Sequence, residues 1–286
     1  MKLSMETYTL RGLYGDQKAF SLLKQAGFDG VDYSFYLCDD LWYSQDDYRE
    51  QAALRRSWLE AEGLSCVQAH APFDLLYGEN WNEDELHYRM VVRALECAAI
   101  MGAACIVVHA LETPIRMPEE QVMQVNYEYY KTLQPYCEKF GIRIAVENLF
   151  LYDLKRKGTK GLLGSPKALC DMLHRLDSPW FTACVDVGHA AVNGYEPEDF
   201  LLAMEPELLG AVHIQDTDFL DDRHMLPFTQ EQDWTAIMAA LKQQKFCGPM
   251  NLEIISFMER MPEALIPDAL AFSAKVGRYL LAQLGE

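Results

Sequence analysis

Residues 140–148 read Phe140-Gly141-Ile142-Arg143-Ile144-Ala145-Val146-Glu147-Asn148. The phenylalanine ends an amphipathic run, 119–140, whose apolar side chains recur with helical spacing. Pro135 lies inside that run and should kink the helix or end it early. A glycine directly after such a run is the usual helix stop, since it enters the left-handed region without a Cβ penalty. Ile144, Ala145 and Val146 then form a short apolar run without polar alternation, as strands buried on both faces do. A carboxylate closes it. The stretch holds one complete helix-to-strand junction of an α/β protein.

The junction recurs. Gly27-Phe28-Asp29-Gly30, Glu62-Gly63-Leu64, Gly102-Ala103 and Phe246-Cys247-Gly248-Pro249 each separate an amphipathic run from a short apolar one. Working outward gives strand candidates at 3–8, 30–34, 65–70, 104–109, 143–148, 182–187, 211–215 and 250–255. Helical runs fall between them, at 16–26, 47–62, 83–101, 119–140, 166–176, 197–204, 234–244 and 263–284. Ser165-Pro166 opens one of these as an N-cap followed by a proline in the first turn. Repeated β/α units imply right-handed crossovers and a parallel sheet. Eight strands in 286 residues with no linker predict one domain, 1–286, folded as a single (β/α)8 TIM barrel. That fold typically takes ~250 residues. An open doubly wound sheet is the alternative, but no GxGxxG follows the first strand.

Charge narrows the partners. The chain carries 43 Asp and Glu against 25 Lys and Arg, a net charge of −18. That balance repels a phosphate backbone and an acidic membrane surface, so neither nucleic acid nor a membrane is expected as a partner. The longest uncharged stretch, 97–110, falls short of a membrane span and contains Gly102 and His109. The first residues, Met1-Lys2-Leu3-Ser4-Met5-Glu6, lack the apolar core of a signal peptide. Eight scattered cysteines without a CxxC pair read as reduced thiols in a cytoplasmic protein.

Chemistry in a barrel of this type sits at the C-terminal ends of the strands. The third run ends in His70 and the fourth in His109. The fifth ends in Glu147-Asn148, the sixth in Asp186, and the eighth in Glu253; the seventh contains His213. One such residue is ordinarily a hydrogen-bonded core group or a cap. Six on consecutive strands point to a site, because buried charge is costly unless paired or bound to metal. Two Glu, one Asp and one His form a mixed oxygen and nitrogen donor set for a divalent ion such as Mn2+, Mg2+, Co2+ or Zn2+. Such an ion polarises a carbonyl or enediolate oxygen, and a nearby carboxylate moves a proton to or from carbon. Asp216, just beyond His213, is expected at the same mouth. The basic run Lys155-Arg156-Lys157 with Lys160 reads as a solvated loop, with a lid or an anion contact as the alternative.

These motifs resemble the xylose-isomerase-like TIM-barrel superfamily, specifically its sugar phosphate isomerase/epimerase group. That group includes ketose 3-epimerases, inosose isomerases and dehydratases, and endonuclease-IV-type enzymes. The resemblance rests on His-Ala-Pro at 70–72, His109, Val-Glu-Asn at 146–148, Asp-Val-Gly-His at 186–189, Val-His-Ile-Gln-Asp at 212–216, Asp-Arg-His at 222–224 and Leu-Glu at 252–253. It implies one divalent ion, Mn2+ first among the alternatives, held by Glu147, Asp186, His213 and Glu253. It also implies that Glu147 and Glu253 are the acid/base pair of a carbohydrate isomerase or epimerase. His70, His109, His189, Arg223 and His224 would contact the substrate. An inosose-type dehydratase is the alternative. A multi-zinc phosphodiesterase is the further one, since His70, His109, His189 and the Asp222/His224 pair match its ligand types. The resemblance implies a homo-oligomer as well.

One departure from the family pattern stands out. The family continues after Asp-Arg-His into Pro-Gly-x-Gly, whereas Pro227 is followed here by Phe228-Thr229-Gln230. Loss of both glycines weighs against a close backbone approach to a phosphate. Phe228 reads instead as an apolar wall of the site. Tyr8, Phe35, Tyr36, Trp42, Phe73, Phe150, Tyr152 and Phe257 are expected near the rim, where they could stack on a sugar ring.

Overall fold

The computed structural model describes residues 1–36, 41–73, 86–153 and 158–285. Ten strands are present among them: β1 (Leu3–Glu6), β2 (Gly30–Ser34), β3 (Ser65–His70), β4 (Cys105–Val108), β5 (Arg143–Glu147), β6 (Leu149–Asp153), β7 (Gly158–Leu162), β8 (Phe181–Asp186), β9 (Leu209–Ile214) and β10 (Met250–Leu252). Eight of them close into a barrel in the order β1-β10-β9-β8-β5-β4-β3-β2. Every pairing around the ring is parallel.

The helices are α1 (Tyr8–Tyr14), α2 (Asp16–Ala26), α3 (Tyr48–Glu62), α4 (Leu86–Met101), α5 (Glu119–Phe140), α6 (Pro166–Leu176), α7 (Val187–Val192), α8 (Pro197–Ala203), α9 (Trp234–Gln243), α10 (Ile255–Glu259) and α11 (Ile266–Gln283). The longer ones pack apolar faces on the strands. Gly141 ends α5 at φ 70°, and its N–H bonds the Cys137 carbonyl, the left-handed cap that the opening stretch demands. The Ser165 hydroxyl accepts from the Ala168 N–H at 3.1 Å and starts α6. The four residues of β1 and the five of β5 bury almost every side chain, which is why their sequences show no alternation.

Several boundaries differ from the expectation. β1 stops at Glu6 and β10 at Leu252, because Tyr8 and Ile255 already begin short helices. β8 stops at Asp186, whose carboxylate caps α7 through the His189 N–H. Helix α5 runs unbroken through Pro135 to Phe140. Pro135 lies on the exposed face, where water can take the carbonyl that the missing N–H leaves free. The loop expected after the fifth strand is an antiparallel hairpin, β6 with β7, pairing Leu151 with Lys160. Of the basic run, Lys155, Arg156 and Lys157 lie outside the described residues, while Lys160 donates to the Met117 carbonyl at 2.8 Å. Seven cysteines are described and all are free thiols, six of them buried; Cys38 lies outside the described residues. No described helix is long and apolar enough to cross a membrane.

Candidate functional site

Side chains alternate along a strand, so residues two apart share the inner face of the barrel. Strand β5 thus carries Ala145 and then Glu147 inward, β8 carries Cys184 and then Asp186, and β9 carries Ala211 and then His213. Register sets Asp186 beside His213 and Asn251 beside His213, with Glu253 directly after β10. Four elements therefore deliver their polar termini to one point.

His213 Nδ1 lies 2.9 Å from Glu147 Oε1, 3.1 Å from Glu253 Oε2 and 3.8 Å from Asp186 Oδ2. All four side chains are buried, and one donor atom from each lies within 4.8 Å of the others. Glu147 Oε2 and Glu253 Oε2 are buried and accept no hydrogen bond of good geometry, although His109 Nε2 lies 2.9 Å from the former. A buried carboxylate oxygen without a donor is costly, and a cation relieves that cost. Three carboxylates and one imidazole therefore fit a hard or borderline divalent ion.

The charges at the mouth support this. Burial pushes the Glu147 and Glu253 carboxyls up, but His213 and the neighbouring imidazoles outweigh it. Glu147 ends well below the usual carboxylate range and Glu253 at about 2. Burial pushes the histidines down, yet the surrounding anions hold His189 and His213 well above their usual value, and His224 at about 10. Asp186 rises to about 7, chiefly by burial. Protonated imidazoles here neutralise carboxylates that a cation would otherwise satisfy.

Two further groups flank the centre. His70 Nδ1 donates to the Ala71 carbonyl at 2.8 Å, which turns Nε2 toward His109 Nε2 at 3.1 Å and Glu147 Oε2 at 3.8 Å. On the other side His189 Nδ1 donates to the Asn148 carbonyl at 3.0 Å, and its Nε2 faces Asp222 at 3.3 Å. Asp222 also takes His224 Nε2 at 2.8 Å. Gln215 links the two carboxylates, donating to Asp222 at 2.7 Å and to Asp186 at 3.2 Å. Gly188 permits this, because a Cβ there would collide with the Gln215 amide. Thus His70, His109, His189 and His224 all join the expected mouth.

Arg223 does not. Its guanidinium pairs with Asp218 at 2.9 Å and lies 3.6 Å from Asp221, half exposed on the loop after β9. Acidic neighbours within its own loop capture it. Asp216 is likewise no part of the charge at the mouth. Its carboxylate accepts from the Thr229 and Gln230 N–H groups and from the Trp234 indole at 3.0–3.1 Å, pinning the following loop. Phe228 is not an apolar wall of the site. It takes φ 72° and packs on Trp234 and Tyr279, outward from the barrel. Phe35 and Trp42 are buried against each other rather than set at the rim.

The sequence reading missed a polar layer beneath the centre. Asp32 Oδ2 lies 3.4 Å from His213 Nε2 and accepts from Gln68 at 2.7 Å and Asn251 at 2.8 Å. Glu6, beside Asp32 in register, is buried and raised to about 8, mainly by burial. The strand-end rule that found Glu147 applies equally to Met5-Glu6. Above the centre opens a cleft of about 600 Å³ lined by Phe73, His109, Phe150, Tyr152, His189 and Asp222, among others. No Lys or Arg lines it among the described residues.

An eight-stranded parallel barrel whose strand ends gather histidines and carboxylates around a cleft defines a class of protein. The chain belongs to the xylose isomerase-like TIM-barrel family, whose model matches residues 20–276. The uncharacterized protein y4fM of Sinorhizobium fredii is 24% identical over 262 residues, covering 84% of this chain and 81% of its own. Among solved structures, a D-tagatose 3-epimerase-like protein superposes with a TM-score of 0.76 at 19% identity, covering 99% of this chain and 97% of its own. The 3-keto-D-glucoside 4-epimerase YcjR from E. coli gives 0.74 at 18% identity, covering 96% and 99%. The IOLI protein with a bound zinc atom gives 0.72 at 17% identity, covering 99% and 98%. At these identities the likeness establishes a shared fold.

Proposed function

We propose that the protein is a divalent-metal-dependent isomerase or epimerase of a sugar or sugar derivative. One observation carries the reading. Glu147 and Glu253, from strands apart in the ring, both reach His213 Nδ1 and both keep an unsatisfied buried oxygen. Glu147, Asp186, His213 and Glu253 would hold the ion, with Mn2+ the favoured species. When bound, the ion supplies Lewis-acid stabilisation of charge on adjacent substrate oxygens. One glutamate then takes the proton from the carbon beside the carbonyl, and the electron pair passes into an enediolate. The other returns a proton from the opposite side, giving the epimer. Neighbouring imidazoles hold both carboxyls ionised at rest, so either can act as the base, and the partner returns a proton that it first takes from a protonated imidazole beside it. His109 and His189 line the cleft and are placed to bond substrate hydroxyls, with Phe73 and Phe150 beside them. The epimerases among the similar structures support this reading, as does the zinc of the IOLI protein.

Mn2+-supplemented protein in heavy water should wash deuterium into one carbon of a ketose, an inosose or a keto-glycoside. Glu253→Gln should lower that exchange by ~10³-fold with the melting temperature kept. A metal-loaded variant with full activity defeats the assignment. Loss of water from an inosose in the same screen would redirect it to a dehydratase. A second reading has an observation of its own, since His70/His109/Glu147 and His189/Asp222/His224 also form groups able to hold ions. About three tightly bound zinc ions per chain would favour that phosphodiesterase. The net charge of −18 and the cleft without cationic side chains weigh against it.

A further inference from the structure

Helix α11 is apolar on two faces. One packs on the barrel through Ile266, Leu270 and Leu281, so closely that a Cβ on Gly277 would lie 2.5 Å from Leu3 Cδ1. The other faces solvent. Leu265, just before the helix, and Phe272 and Tyr279 within it are 51%, 52% and 60% exposed. They stand seven residues apart and so form a single stripe. Phe228 extends the stripe sideways, packing edge-on to Tyr279 at 5.8 Å while itself 52% exposed. It does so at a positive φ that disfavours a bulky side chain. Four large apolar side chains in one patch are more than an isolated surface ordinarily shows.

Charge identifies the occupant. Asp268 and Lys275 flank the stripe, exposed, and neither makes an ion pair among the described residues. The pattern is self-complementary. A two-fold axis perpendicular to the helix at Phe272 sets Phe272 against its own copy and Leu265 against Tyr279 of the second copy. The same axis brings Asp268 within one residue of Lys275 of the second copy. Parallel docking would instead oppose Asp268 to Asp268 and Lys275 to Lys275. Closed two-fold symmetry demands a patch that recognises itself, and this one does.

We propose that the α11 face is a homodimer interface in which the helices of two copies pack antiparallel about Phe272. Phe228 of each copy covers the end of the stripe. The inference concerns a surface remote from the strand termini and stands whatever the reaction proves to be.

Sedimentation velocity tests it, with circular dichroism to confirm that each variant is folded. The wild-type chain should sediment at twice its own mass, and Phe272→Glu should sediment as a monomer. Asp268→Lys and Lys275→Asp should each weaken the dimer by ~10-fold or more, because like charges then face each other. The double charge swap should restore it to within about threefold. Oxidised Phe272→Cys should cross-link to its own copy, as only a residue on the axis does. A wild-type monomer, a dimer that survives Phe272→Glu, or a swap that fails to restore association would each overturn the proposal. An apolar face that meets a lipid surface or an unrelated protein would show itself as the first of these.

Discussion

Two layers of the barrel interior, one directly above the other, differ completely. The lower one is a plug of small apolar groups: Cys105, Val107, Ala145, Cys184 and Ala211. Two residues further along the same strands stand His109, Glu147, Asp186 and His213. The strands, their faces and their burial are shared. Only the side chains change, from groups that gain by leaving water to groups that lose unless they are paired. The comparison teaches that the plug supplies stability while the layer above spends it. A one-residue slip of any strand would turn both of its layers away from the barrel interior, so burial of the plug also fixes the register of the site.

The largest expected effect strikes at the upper layer from below. Asp32 is the acceptor beside His213 Nε2, and a carboxylate behind a ligating imidazole steadies its orientation. Asp32→Asn should weaken Mn2+ binding by ~10–100-fold in titration calorimetry, with the melting temperature of the metal-free protein little changed. Equal affinity in the variant would leave Asp32 with a packing role alone. A smaller effect should arise in the plug. Val107→Ala removes two methyl groups from a fully buried position and should cost ~2 kcal/mol in urea unfolding. Turnover at saturating substrate should stay near the wild-type value. Should activity collapse first, the two layers are not separable in the way described.

The last effect concerns pH. Glu6 sits at about 8 against an ordinary 4.5. The folded chain therefore holds this proton more tightly than the unfolded one. The resulting stability is complete below about 4.5 and is lost as the pH rises through about 8. Melting temperatures of the metal-free protein should fall across that window, and Glu6→Gln should flatten the fall. An unchanged slope would assign the effect to other groups.

Glu147, Asp186, His213 and Glu253 were legible because each follows an apolar run whose end marks the rim. His70 and His109 were legible for the same reason. Arg223 was not, because its partner was decided by Asp218 and Asp221 in its own loop. Phe228 looked like a wall of the site until α11 supplied Trp234's neighbour Tyr279 as its contact. The hairpin of β6 and β7 escaped notice because its pairing joins residues across a loop, and no periodicity reports such a pairing. Asp32 lies inside its strand rather than at the end, so a rule about termini passed over it.

By itself the sequence determined the period of most elements, the glycines that stop α2, α3 and α5, and therefore a closed barrel with histidines and acids at one rim. Those features depend on neighbours along the chain. Only the tertiary structure decided that His213 turns Nδ1 to two glutamates and Nε2 to Asp32. It alone placed Glu6 beside Asp32 and turned one face of α11 outward. The reason is geometric. Those contacts join strands far apart in sequence, and their distances are set when the ring of strands closes, not by the pattern of any one of them.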